Sequence, residues 1–459
     1  MPRLFVSAAH KSSGKTTISI GLCAALAARG LAVQPFKKGP DYIDPMWLGA
    51  AAGRPCFNLD FNTQGRGEIS ALFGRHASTA DLSLVEGNKG LHDGMDIEGS
   101  DSSAGLAGLL GTPVALVVDT GGITRGIAPL LLGYQAFDPG VRIGGVILNK
   151  VAGARHEGKL RAAIARYTDL PVLGAVRRCR DLEIVERHLG LVPSNEAAEA
   201  RSVIARIRDI VAEQVDLEAV LAMARTAPTL PPVTAPVREV DPGSRVRIGI
   251  ARDAAFGFYY PDDLEALAAA GADLVPVDTL RDPDLPRDLD GLFIGGGFPE
   301  THMDALEANG ALRAAIRSAI DGGLPVYAEC GGLMYLSRGI TWQGRTCRMV
   351  GAIPGDTVMH AKPRGKGFVR LRETGRSPWP ASGPDGEIPA HEFHYSSLEN
   401  LGEDAVFAYQ VIRGDGITGR HDGLVIRNTL ATYTHMRSVA SFPWAARFVA
   451  FVRSGQGRR

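Results

Sequence analysis

Apolar positions in this chain gather in short, nearly continuous runs, separated by longer stretches with helical spacing. Leu4–Ala8, Val33–Phe36, Leu82–Val85, Pro113–Asp119 and Ile143–Leu148 are too short for helices and predict strands buried on both faces. Thr16–Arg29 is rich in Ala and Leu and predicts a helix that stops at Gly30. Strands alternating with helices imply a parallel, doubly wound sheet. The pattern breaks at Thr226–Arg245, which is rich in proline and lacks periodicity. It restarts with strands at Val246–Ala251, Leu274–Val277, Gly291–Ile294 and Pro325–Ala328, and helices at Asp262–Ala270 and from Leu333. Ile353–Arg427, with its aromatics and prolines, predicts a mixed, partly antiparallel region. The expected organisation is α/β with two doubly wound domains, 1–225 and 246–450, joined by a linker at 226–245.

The 459 residues are too many for one ordinary core, which agrees with two domains. Lys+Arg and Asp+Glu are equal at 50 each, so charge gives no case for nucleic acid or an anionic membrane as partner. Five cysteines without a CxxC pair argue against a disulfide framework or zinc site and fit a reducing compartment. No apolar run reaches membrane-spanning length, and Leu4–Ser7 is not preceded by a charged leader. A cytoplasmic location is expected.

Residues 9–17, Ala-His-Lys-Ser-Ser-Gly-Lys-Thr-Thr, follow a strand and open a helix, the setting a phosphate-binding loop requires. Ser12, Ser13 and Gly14 can turn backbone N–H groups toward phosphate oxygens at the helix N-terminus. Lys15 can neutralise phosphate charge, and the Thr16 hydroxyl, followed by Thr17, can reach Mg²⁺. Ala9 stands where the first glycine of such loops belongs, so the motif is a variant; the bland alternative is an ordinary turn. Asp41, in Lys37–Pro45, and Glu86, in Val85–Asn88, follow strand ends, where open α/β sheets bind ligands. Both are candidate Mg²⁺ ligands, against the alternative of solvated loops or helix caps. Asn149, at another strand end, is the candidate for the adenine of ATP.

Cys330 lies between the strand Pro325–Ala328 and a helix, followed by Gly331 and Gly332. Such an elbow exposes a nucleophile, and the helix N-terminus favours thiolate; the alternative is a small core residue. Gly296 and Gly297, with Gly331, could supply an oxyanion hole. His435 ends a short β-like run and is a candidate base; His391 and His394 are rivals by spacing.

Taken together, AAHKSSGKTT, KKGPDYIDP, VEGNKGLHDG, VVDTGG, GVILNKV, GGGFPE, LPVYAECGGLMYL, MVGAIPG and HEFHYS resemble the cobyrinic acid a,c-diamide synthases, in order over nearly the whole chain. That family joins a dethiobiotin-synthetase-like ATPase of P-loop type to a class I glutamine amidotransferase domain with a mixed sheet. The resemblance implies Cys330 as glutaminase nucleophile with His435 as its base, and Asp41 and Glu86 for Mg-ATP handling and carboxylate activation. In amidotransferases of this class a Glu usually lies two residues after the histidine; here that position is Arg437, which leaves a dyad. The implied reaction uses ATP, Mg²⁺ and glutamine to amidate two acetates of a tetrapyrrole, with ammonia kept from water between domains. A homodimer is compatible with it. The basic stretch His360–Arg370, with Lys362, Arg364, Lys366 and Arg370, departs from the leucine-rich stretch expected in cobyrinate enzymes. It is similar to relatives linked to sirohaem amidation, and its cations could meet a polycarboxylate ring.

Three rival readings are a P-loop ATPase switch or metal-inserting maturation factor, a non-catalytic tetrapyrrole scaffold, and a cobyric acid synthase-like enzyme acting at other ring positions. A switch has no use for the thiol elbow, and the third lacks the same strong acidic pair.

Overall fold

The computed structural model describes residues 1–179, 182, 184, 186, 187, 190, 191, 193, 194, 200–230, 245–380 and 386–456. The chain divides into two compact units, Met1–Pro236 and Val237–Arg459. Most of the expected linker, residues 231–244, lies outside the described residues. Its start is tied to the first unit: Arg142 donates to the Thr226 hydroxyl at 2.6 Å.

In the first unit seven strands form a wholly parallel sheet. They are β1 (Arg3–Ala8), β2 (Val33–Lys38), β3 (Phe57–Leu59), β4 (Leu82–Glu86), β5 (Val114–Asp119), β6 (Ile143–Val151) and β7 (Val172–Arg177), in spatial order β3-β2-β4-β1-β5-β6-β7. Alternation along β1 sends Leu4 and Val6 into one apolar layer, which includes Ile18 and Leu22 of helix α1 (Lys15–Ala28). Phe5 enters the layer on the other face with Phe36 and Val85. Strands β2 and β4 run past their apolar stretches to Lys38 and Glu86. They can do so because Lys37 and Glu86 stand side by side in register and pair, so burial of each charge is compensated.

The second unit has a nine-stranded mixed sheet. Its spatial order is Ala272–Val277, Val246–Ala251, Gly291–Ile294, Val326–Glu329, Thr429–Thr432, His421–Ile426, Val406–Arg413, Gly365–Glu373 and Ile388–His394. The first five are parallel and the rest antiparallel. Val326–Glu329 and Thr429–Thr432 are therefore adjacent and end at the same sheet edge, although about 100 residues separate them. A four-stranded sheet of Arg345–Arg348, Gly339–Trp342, Asp356–Met359 and Ser396–Glu399 lies beside it in sequence. Both units are α/β, the first P-loop-like and the second mixed, as the pattern predicts. Among the described residues no helix is long and apolar enough to cross a membrane.

Candidate functional site

At the end of β1 the chain turns through Ser12 (φ 66°) and Gly14 (φ 89°) into α1. Gly14 caps the helix without a side-chain hydrogen bond, so the first N–H groups face outward. The Ser13 hydroxyl donates to the His10 carbonyl at 2.8 Å and holds the loop closed. Lys15 is buried, and burial followed by the like charge of Lys37 lowers its pKa. Thr17 sits half-buried in the first turn.

The acidic partners differ from expectation in one respect. Thr16 Oγ1 lies 2.8 Å from Glu86 Oε1 and 3.2 Å from Asp44 Oδ2, so Asp44, not Asp41, comes to the threonine. Asp41 instead accepts the backbone N–H groups of Ile43 and Asp44, capping the start of the helix Ile43–Ala52. A carboxylate in the first turn of the helix aims where its loop neighbour cannot. Lys37 fills the middle of the group, 2.5 Å from Asp44, 2.7 Å from Glu86 and 3.7 Å from Asp41. Burial opposes the Lys37 charge, but the three acids overcome it and hold its pKa well above the usual value. Burial, and then the charge of Asp44, pushes Asp41 up to about 7. The oxygen donors suit a hard divalent cation: Glu86 Oε2 is buried and has no hydrogen-bond partner among the described residues. Among those residues no group of three or more His, Cys, Asp or Glu is spaced to hold a metal ion without other ligands, and Lys37 pairs with Glu86.

Asn149, the candidate for adenine, stands against the phosphate loop. Its side-chain amide donates to the Ser13 carbonyl at 2.8 Å, and Lys150 reaches the Ser12 carbonyl and Asp119. A Cβ on Gly14 would lie 2.1 Å from the Asn149 amide nitrogen, so the pair braces the loop from behind.

In the second unit Cys330 holds φ 47° and ψ −98°, strained for a residue with a Cβ. The surroundings enforce it. Its N–H donates to the Thr432 carbonyl at 2.7 Å, and the helix Gly331–Leu336 begins at once. Cβ atoms at Gly332 and Gly297 would meet the Ile294 carbonyl at 2.1 Å and the Ala255 carbonyl at 1.9 Å. A Cβ on Gly331 would lie 2.9 Å from the Gly297 nitrogen, which brings these two expected oxyanion-hole glycines together; Gly296 backs the His435 ring instead.

His435 is the histidine that reaches Cys330. Burial works against its charged form, but hydrogen bonds to Cys330 and Glu329 prevail and raise its pKa to about 10. Its backbone exchanges hydrogen bonds with His391 at 2.8 and 3.2 Å. The loop before it is fixed by buried Asp422, which accepts the N–H groups of Tyr433 and Thr434. His391 stacks on His435 at 5.0 Å, and burial together with the His435 charge holds its pKa well below the usual value. His394 stacks on Tyr433 and lies 3.6 Å from Glu392. Arg437 is buried in an ion pair with Asp262 at 2.9 Å. Sequence reasoning missed Asp44, Lys37, Asp422 and Glu329. Lys37, Asp44 and Glu329 stand inside motifs already singled out, whereas Asp422 carries no local signal beyond an acid at the start of an apolar run. Lys362, Arg364 and Lys366 are exposed, and the Lys366 ammonium lies 5.4 Å over the Phe393 ring.

Residues 5–192 match the model of the CobQ/CobB/MinD/ParA nucleotide binding domain, and residues 247–441 that of the CobB/CobQ-like glutamine amidotransferase domain. The chain is 49% identical to a cobyrinate a,c-diamide synthase of Magnetococcus marinus, covering 99% of this chain and 97% of the relative. It is 41% identical to one of Methanosarcina acetivorans, over 96% and 93%, and 40% identical to one of Archaeoglobus fulgidus, over 98% and 97%. With likeness sustained across both units, the chain belongs to the cobyrinate a,c-diamide synthase family and is a carbon–nitrogen ligase that takes its nitrogen from glutamine.

Proposed function

We propose that the protein amidates the a and c acetate groups of a cobyrinate-type tetrapyrrole, with residues 1–225 as synthetase and 246–450 as glutaminase. The observation that carries this reading is the contact of a strained, helix-capping Cys330 with His435 in a chain that also has a phosphate loop.

A carboxylate is a poor electrophile, so its oxygen first attacks the γ-phosphorus of ATP and ADP leaves. The open N–H groups around Ser12–Gly14 and the Lys15 ammonium would hold the phosphates. Mg²⁺ would be held by Thr16, Asp44 and Glu86, where it would offset phosphate charge. Asn149 braces the loop. Meanwhile the Cys330 sulfur attacks the glutamine side-chain carbonyl carbon. The oxyanion would rest on the N–H groups of Gly297 and Gly331, and His435 passes a proton to the departing ammonia. Water then hydrolyses the thioester to glutamate and restores the thiol. Ammonia attacks the acyl phosphate, phosphate leaves, and the amide forms. Each cycle consumes one ATP, one glutamine and one water, and yields one amide, ADP, phosphate and glutamate.

The basic stretch 360–370 supports a second substrate, the similar acetates of sirohaem, with Lys362, Arg364, Lys366 and Arg370 meeting the carboxylates. Incubation with ATP, Mg²⁺ and glutamine against cobyrinic acid and sirohaem separately, read by mass spectrometry, tests both. Two replacements of OH by NH₂ on one ring are expected; unchanged masses on both would sink the proposal. Cys330→Ala should lose about a thousandfold or more in glutamine-dependent synthesis, with synthesis from free ammonia retained.

A further inference from the structure

His435 needs a group that fixes its ring and balances its charge, and the position where this class of amidotransferase carries a glutamate is Arg437. The Arg437 side chain turns to Asp262 and lies over the Tyr260 ring, at 4.8 Å from its centroid. An acid does reach His435, from the other side of the nucleophile: Glu329, the residue before Cys330. Its Oε2 lies 3.4 Å from His435 Nδ1, with both side chains 4% exposed. The carboxylate is held in place. Its Oε1 accepts the Tyr327 hydroxyl and, at 3.1 Å, the Met436 N–H, the backbone group that follows the histidine.

We infer that Glu329 is the positioning residue of the Cys330–His435 pair. A charged carboxylate at this depth is costly unless it is paired. Two neutral donors satisfy one oxygen, and the second lies at ion-pair distance, 3.4 Å, from the imidazole Nδ1. That arrangement keeps the Nδ1 proton on the side of Glu329 and leaves the other ring nitrogen to exchange a proton with the thiol. Strand geometry makes this workable. Glu329 ends the strand Val326–Glu329 and pairs in register with Thr432 on the neighbouring strand, three residues before His435. One β-to-helix junction thus supplies both the nucleophile and the acid that orients its base.

The inference rests on the glutaminase reading, and the test separates the two. Around His435 the groups that bear on its charge are Cys330 and Glu329 from one strand end and His391 from the strand Ile388–His394, with Arg437 and its partner Asp262 beyond. Glu329→Gln keeps the shape and removes the charge. Glutamine hydrolysis by the full chain is measured from pH 6 to pH 10.5, and the His435 ring is titrated by NMR. We expect kcat to fall about tenfold or more, with KM for glutamine changed less than about threefold. The alkaline limb of the kcat profile, where the imidazolium loses its proton, should move down by about one pH unit, and the ring titration should move with it. Glu329→Asp should restore part of the shift. An active wild type whose limb and ring titration are unmoved in Glu329→Gln overturns the inference alone, and so does a loss of rate that only follows a lowered melting temperature. A wild type that hydrolyses no glutamine overturns the glutaminase reading and the inference with it.

Discussion

Gly14 and Cys330 occupy equivalent places in the two units. Each caps a helix that follows a buried parallel strand, and each has a positive φ, 89° and 47°. The glycine adopts it freely, whereas the cysteine holds it amid close-packed backbone at Gly297, Gly331 and Gly332. The charge around them differs as well. Behind Gly14, two lysines and three acids sit within one small volume and offset much of one another's charge. Behind Cys330, one histidine faces one acid. A site that must receive charged ligands stores counter-charge, which ligands can exchange. A site proposed to form a bond to carbon stores geometry, which must not relax.

If stored charge defines the first site, Lys37→Met should have the largest effect on stability. It would leave Glu86 and Asp44 facing each other in a buried place, at a cost of about 3–5 kcal/mol. Calorimetry should show the loss, and Mg²⁺ should recover more of it in the variant than in the wild type. Equal melting temperatures with and without Lys37 would break the comparison.

The second site gives a pH-dependent prediction. His435 has a folded pKa of about 10 against 6.5 when free, so the folded state binds the extra proton between those values. Its stabilising contribution is complete below pH 6.5 and is lost as pH rises toward 10. Urea unfolding at pH 7 and pH 9 should therefore show a smaller drop for His435→Gln than for the wild type. An identical drop would mean that the imidazole is not held as an ion pair.

The smallest effect belongs to neither store. Lys366 is exposed over Phe393, and Lys366→Glu should raise KM for a polycarboxylate ring by about two- to fivefold, the scale of one exposed ion pair. No change with either tetrapyrrole would remove the basic stretch from the substrate surface.

Features that depend only on neighbours along the chain could be read from residue order alone. Strands β1, β2, β4, β5 and β6 were legible because burial on both faces demands continuous apolar runs, whereas β3 and β7 were not singled out; the phosphate loop and the thiol elbow were legible because their residues lie in single stretches, 9–17 and 329–332. Tertiary structure decided which side chains meet. Asp44 rather than Asp41 reaches Thr16 because a helix begins between them and turns the later carboxylate inward. Glu329 meets His435 because the strands Val326–Glu329 and Thr429–Thr432 pair in register, and no local pattern encodes a pairing between segments about 100 residues apart.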